Sequence, residues 1–169
     1  MVNGLPPDFH FESVDWEDLR AIELRRAMDV ELTARYSGPD DAPQAAALVA
    51  DRNAALAVGR ADVRATVLAV GADGTAIAHA ALRELRGDWE IKRVIVHAAA
   101  RGRGIGIALM MQLETIAQQA DRPRLILQTG DRQPDAVALY RKLGYTPIPI
   151  YEPYVATMPF SMCFEKLLS

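Results

Sequence analysis

The sequence predicts a single domain of the mixed α/β class spanning residues 1–169, and three observations carry that prediction. Short runs that alternate apolar and polar residues are interleaved with longer runs whose apolar residues recur every three or four positions, the periods of strand and helix. The pair Asp73 and Gly74 between two alternating runs is a hairpin signal. A glycine-rich stretch from Arg101 to Gly106 joins an alternating run to the most regular helical pattern of the chain. A chain of 169 residues suits one core. Folding at that length buries about 70% of the surface that the unfolded chain exposes.

Each element follows from its pattern. Phe9 to Ser13 alternates and reads as a strand. Asp15 offers a helix cap, and from Trp16 the residues Leu19, Ile22, Leu24, Ala27, Met28, Val30 and Leu32 keep helical spacing until Ser37, Gly38 and Pro39 stop the chain. Pro43 suits the first turn of a second, alanine-rich helix over residues 43–58. Thr66 to Val70 and Thr75 to Leu82 form an antiparallel pair around the turn at Gly71 to Gly74, and Trp89 to His97 adds a third strand with Ile91, Val94 and Val96. Ile105 to Ala120 is a helix, Leu125 to Leu127 a buried strand, Pro134 to Leu143 a helix closed by Gly144, and Ser161 to Leu167 a last strand. Residues 147–160, where Pro147, Pro149, Pro153 and Pro159 alternate with Tyr151, Tyr154 and Met158, read as an ordered, functional loop.

Composition narrows the partners. Half the residues are hydrophobic and 24% are charged, as in an ordinary globular protein. The single cysteine, Cys163, has no partner for a disulfide, and no cluster has metal-ligand spacing, which points to a reducing, cytoplasmic compartment. Pro6, Pro7 and Asp8 fall where a signal peptide needs a basic start and an apolar stretch. No apolar run approaches the roughly 20 residues that span a bilayer, so a soluble protein without a membrane partner is expected. A net charge of −3 argues against general nucleic-acid binding. Lys92, Arg93, Arg101 and Arg103 nevertheless form a local basic cluster that suits a small phosphate ligand.

The stretch Arg101-Gly102-Arg103-Gly104-Ile105-Gly106 lies between a strand and a helix. There, unpaired backbone N–H groups and the positive end of the helix dipole favour an anion, and glycines let the backbone approach it closely. A tight turn with no ligand is the competing reading of the glycines alone. A dinucleotide fingerprint would need glycine at position 107 or 109, where Ile107 and Leu109 stand, and no Gly-Lys-Ser/Thr P-loop occurs in the chain.

Arg101, Gly104 and Gly106 match the pyrophosphate-turn pattern of the GNAT acetyltransferases, and the chain resembles that superfamily in context as well. The preceding strand, Trp89 to His97, looks like the family's fourth strand, and Ala138-Leu139-Tyr140-Arg141-Lys142-Leu143-Gly144-Tyr145 looks like its signature helix and exit. The closing strand from Ser161 to Lys166 resembles that of a bacterial branch, while residues 37–65 match nothing recognisable. The resemblance implies the acyl-CoA N-acyltransferase fold: a mixed, mostly antiparallel central sheet, splayed between two parallel strands at residues 89–97 and 124–129 and flanked by helices. It implies that acetyl-CoA lies in that splay, along Val94, Ile95 and Val96. Backbone amides from Arg101 through Gly102, Arg103, Gly104 and Ile105 to Gly106 would cradle the pyrophosphate beside Ile107 and Ala108.

The resemblance also implies roles. Val96 would lend its backbone N–H to the acetyl carbonyl, Tyr140 would donate to the CoA sulfur, and Glu90 holds the place of a glutamate that deprotonates the amine, often through water. His79 and His97 are the other candidates for the base. Relatives carry asparagine where Gln133 precedes Ala136; either the longer amide substitutes toward pantetheine or Thr129 compensates. Cys163 reads as core. Tyr151, Tyr154 and Glu152 are candidates to line a pocket for a cationic amine, the acceptor being a small molecule or peptide. Dimers are common in the family, and the loop over residues 147–160 is a candidate to join one. A non-catalytic acyl-CoA sensor is the alternative to the enzyme.

Overall fold

A computed structural model describes residues 8–169; Pro6 and Pro7, which bear on the signal-peptide expectation, lie outside them. Along the chain run β1 (Phe9–Ser13), α1 (Leu19–Tyr36), α2 (Ala46–Leu56), β2 (Val63–Gly71), β3 (Ala76–Leu85), β4 (Asp88–Val96), α3 (Ile105–Gln119), β5 (Arg124–Thr129), α4 (Pro134–Lys142), β6 (Thr146–Ile148) and β7 (Met162–Leu167). The strands form one sheet in the order β1-β2-β3-β4-β5-β7-β6. Only β4 and β5 run parallel; every other neighbouring pair is antiparallel. This is the splayed, helix-flanked α/β architecture that the sequence predicts.

Local chemistry sets the boundaries, and three expectations are corrected. Asp15 does not cap α1. Its carboxylate accepts the Glu17 N–H, and Asp18, three residues on, caps the helix by accepting the Arg20 N–H at 2.9 Å. Pro43 precedes α2 instead of entering its first turn, and of that helix only Ala55 is buried. Within residues 147–160, expected to be loop throughout, Pro147 sits in β6. That strand is the sheet edge, where a missing N–H leaves no ladder bond unmade.

The helices cover opposite faces. Leu82 and Ile91 from the sheet pack with Leu109 and Leu113 of α3 and Tyr140 of α4 in the main core. Ala21 and Leu24 of α1 meet Leu68, Val70 and Ile95 on the other face. Full burial of Leu109 or Leu113 contributes about 1.5–3 kcal/mol each, more than helix propensity supplies over several residues. Among the described residues no helix is long and apolar enough to cross a membrane.

Candidate functional site

The site begins where β4 and β5 separate. Their parallel pairing covers Trp89↔Leu125, Glu90↔Ile126 and Ile91↔Leu127 and then ends, although β4 continues to Val96 and β5 to Thr129. A β-bulge helps to turn β4 away. His79 pairs with Ile95 and Ala81 with Lys92, so Arg93 and Val94 oppose Ala80 alone, and Arg93 takes a φ of 58°. His79 secures that bulge by donating from Nδ1 to the Arg93 carbonyl at 2.7 Å. Beyond it, the His97 N–H donates to Ile77 of β3. Successive N–H groups of a strand point to opposite sides, so the Val96 N–H faces the gap that β5 leaves. Val94 and Val96 pack toward the main core and Ile95 toward α1.

The turn after β4 supplies anion-binding amides. Gly102 and Gly104 have φ of 78° and 77°, a region that side chains disfavour. Gly104 is the N-cap of α3. The N–H groups from Gly102 to Ile107 have no acceptor among the described residues, and the first helical bond runs from Ala108 to Gly104. The arginine side chains are engaged elsewhere. Arg101 donates to the Val96 carbonyl and to Glu31 of α1, and Arg103 reaches Asp8. Lys92 and Arg93 lie apart from them, Lys92 buried under the C-terminal loop and Arg93 paired with Asp29. The basic cluster expected over residues 92–103 is therefore dispersed, and the open amides carry the phosphate-binding character.

On the far wall of the gap, β5 ends at the buried Thr129, and Gly130 follows. A side chain at Gly130 would collide with Tyr36 of α1, whose hydroxyl oxygen lies 1.9 Å from where a Cβ would stand. Gln133 occupies the N-cap position of α4 without a side-chain capping bond, and Ala136 packs on the main core. Tyr140 is 7% exposed and lies against Phe164 and Tyr145. Its hydroxyl has no hydrogen-bond partner among the described residues, and burial raises its pKa to about 12, so it stays protonated at neutral pH.

Glu90 lies on the opposite face of the sheet from Tyr140. It is wholly buried, beneath the loop that follows β6, and both its oxygens are engaged. Arg83 Nε donates to Oε2 at 2.7 Å; the hydroxyls of Tyr151 and Tyr154 donate to Oε1 at 2.9 and 2.7 Å. Arg83 Nη2 and Lys92 Nζ both donate to the Tyr154 hydroxyl at 2.9 Å. Burial and the Glu90 charge hold both phenols far above their ordinary pKa, so they act as neutral donors. Tyr151 and Tyr154 thus point inward toward a carboxylate. Glu152 lies elsewhere, lining a cavity of about 160 Å³ with Arg86, Asp88 and Arg124 at the start of β4.

The other candidates fall outside this geometry. The buried His79 has both ring nitrogens engaged, Nε2 by Arg25 at 3.2 Å, and burial lowers its pKa to about 4. His97 Nδ1 accepts the Ala99 N–H at a turn. Cys163 is buried, and burial raises its thiol pKa; its electrostatic neighbours are Glu90 and the basic Lys92, which the sequence does not bring near it. Arg83 was missed altogether. Its signal is the hairpin register, which sets it directly across from Glu90.

A strand gap lined by a free N–H, a turn of open amides and a buried tyrosine beside the gap are features of acyl-CoA enzymes, and comparison with known proteins agrees. The profile of the acetyltransferase (GNAT) family matches residues 19–145. An IAA acetyltransferase of Azospirillum brasilense is 39% identical over 82 residues, 48% of this chain and 53% of that protein, so the match spans about half of the relative's length. A Klebsiella pneumoniae structure assigned as an acyl-CoA N-acyltransferase superposes with a TM-score of 0.75 at 26% identity, covering 95% of this chain and 98% of that one. A GNAT family acetyltransferase of Elizabethkingia anophelis, solved with acetyl-CoA bound, gives a TM-score of 0.67 at 15% identity over 96% of this chain and all of its own. With a family profile covering most of its length and this architecture throughout, the chain belongs to the acetyltransferase (GNAT) family.

Proposed function

We propose that the chain is an acetyl-CoA-dependent N-acetyltransferase that moves the acetyl group directly to a primary amine of a small molecule or peptide within a ternary complex. The observation that carries this reading is the parting of β4 and β5 after Ile91 and Leu127, beside a turn whose six amides from Gly102 to Ile107 lack acceptors. Those residues fit a pyrophosphate, and the gap fits the arm that follows it. Bound acetyl-CoA supplies the acetyl group as a thioester. The Val96 N–H, facing the gap, stabilises the oxyanion that forms when the amine nitrogen attacks the carbonyl. As the carbon–sulfur bond breaks, the protonated Tyr140 hydroxyl donates to the departing sulfur.

Glu90 is the acceptor of the amine proton in this reading. Three donors surround its carboxylate, so the proton reaches it through a tyrosine hydroxyl that takes one proton as it passes another on. Such a concerted hand-over needs no free phenolate, in keeping with the raised pKa of Tyr151 and Tyr154. Thr129, Gln133 and Ala136 border the pantetheine path. We read the chain as one domain acting in the cytoplasm. The complete engagement of Glu90 favours a second reading, a non-catalytic acyl-CoA sensor.

Thiol release measured across an amine panel, with both substrates varied, tests the proposal. Intersecting initial-rate lines with at least one amine are expected. Parallel lines would contradict direct transfer, and acetyl-CoA binding without turnover on any amine would favour the sensor.

A further inference from the structure

Lys92 is a buried cation without an anion of its own. It is 6% exposed and makes no ion pair among the described residues, while the neighbouring carboxylate, Glu90, is bound by Arg83. Of its three N–H donors one is used, toward the Tyr154 hydroxyl. Two cations and one carboxylate leave the cluster of Arg83, Glu90 and Lys92 with one uncompensated positive charge, and the tyrosines above it are neutral. A buried charge left this way is costly unless something pairs with it. Burial pulls the Lys92 pKa down to about 8, so the ammonium still dominates at neutral pH.

Its place in the fold is equally specific. Lys92 follows Ile91, the last residue of β4 paired to β5, so the strands part at the residue that carries it. It lies on the sheet face opposite Tyr140 and the main core.

Resting on the acetyltransferase reading above, we infer that the acceptor is an amine that also carries a carboxylate, an amino acid, and that Lys92 binds this carboxylate beside the strand gap. The acceptor's anion completes the pairing that Glu90 cannot give because Arg83 already occupies it. A polyamine or other multiply cationic acceptor would meet a site of its own sign. The expectation of a pocket for a purely cationic amine is replaced accordingly.

The test compares amino acids with the amines that differ from them only by the carboxylate, such as phenylalanine with phenethylamine and leucine with isoamylamine. The wild type should favour the amino acid in kcat/KM by about tenfold or more, the scale of one charge-assisted hydrogen bond. Lys92→Met should abolish that preference by raising KM for the amino acid while leaving the matched amine unchanged. Equal use of both acceptors, or a Lys92→Met loss common to both, would overturn the inference, the latter by assigning Lys92 to the acetyl group or to folding. A second readout does not need turnover: the ¹⁵N resonance of Lys92 Nζ in the CoA-bound protein, titrated with N-acetylphenylalanine, should shift where N-acetylphenethylamine leaves it in place. No difference between the two would overturn the inference. Calorimetry separates the failures, since absent acetyl-CoA binding defeats the acetyltransferase reading, whereas intact binding without carboxylate preference defeats only the role of Lys92.

Discussion

Replacing Arg83 by methionine would leave the Glu90 carboxylate buried without its ion pair. In the folded protein Arg83 Nε holds Glu90 at 2.7 Å, Nη2 holds the Tyr154 hydroxyl at 2.9 Å and Nη1 holds the Ala57 carbonyl at 2.8 Å. Methionine preserves much of the aliphatic stem and supplies none of these donors. Breaking a buried pair from one side costs roughly 3–5 kcal/mol. At about 2–4 °C per kcal/mol for a domain of this size, the midpoint of thermal unfolding should fall by roughly 6–20 °C. Glu90→Gln strands Arg83 instead and should also be destabilising. The double variant should lose less than the sum of the two, because the second change removes the charge stranded by the first. Urea unfolding followed by tryptophan fluorescence measures all four proteins, with an unchanged m-value as the condition for comparing them. An Arg83→Met loss below about 1 kcal/mol, or strictly additive single changes, would refute the buried network.

Other residues give independent tests. Gly104→Ala places a side chain at a φ of 77° and should cost about 1 kcal/mol of stability while weakening acetyl-CoA binding at least about tenfold, as read by calorimetry. Tyr140→Phe should lower kcat by roughly 10²–10⁴-fold with acetyl-CoA affinity unchanged, and an unaltered kcat would remove its acid role. Above about pH 6.5 the His79 ring is neutral in both folded and unfolded chains, and below that the unfolded chain takes up a proton first. Stability should therefore fall by about 3 kcal/mol as pH drops from about 6.5 through the folded pKa of about 4. His79→Leu should remove that part of the pH slope; an identical slope would mean that the buried ring is not its source.

Legibility tracked how local each signal is. The apolar spacing of α3 and the glycines before it located a helix with an open N-terminus, because both signals lie within about 20 consecutive residues. The parallel pairing of β4 with β5 was implied by resemblance, since periodicity gives no strand direction. Asp15 and Asp18 are equally good caps in type, and the choice between them rests on where α1 begins to pack. The cluster beneath the C-terminal loop was hidden for a different reason. Glu90 and Lys92 look like the outward face of an alternating strand, but the loop carrying Tyr151 and Tyr154, more than 60 residues away, covers that face. Lys92 and Arg93 are adjacent in sequence, yet they have different surroundings at the bulge.

The most direct test of the central claim is calorimetric titration of acetyl-CoA into the purified protein. Saturable binding that weakens with Gly104→Ala is predicted, because the amides after β4 form the phosphate cradle. No binding of acetyl-CoA would contradict the account at its base.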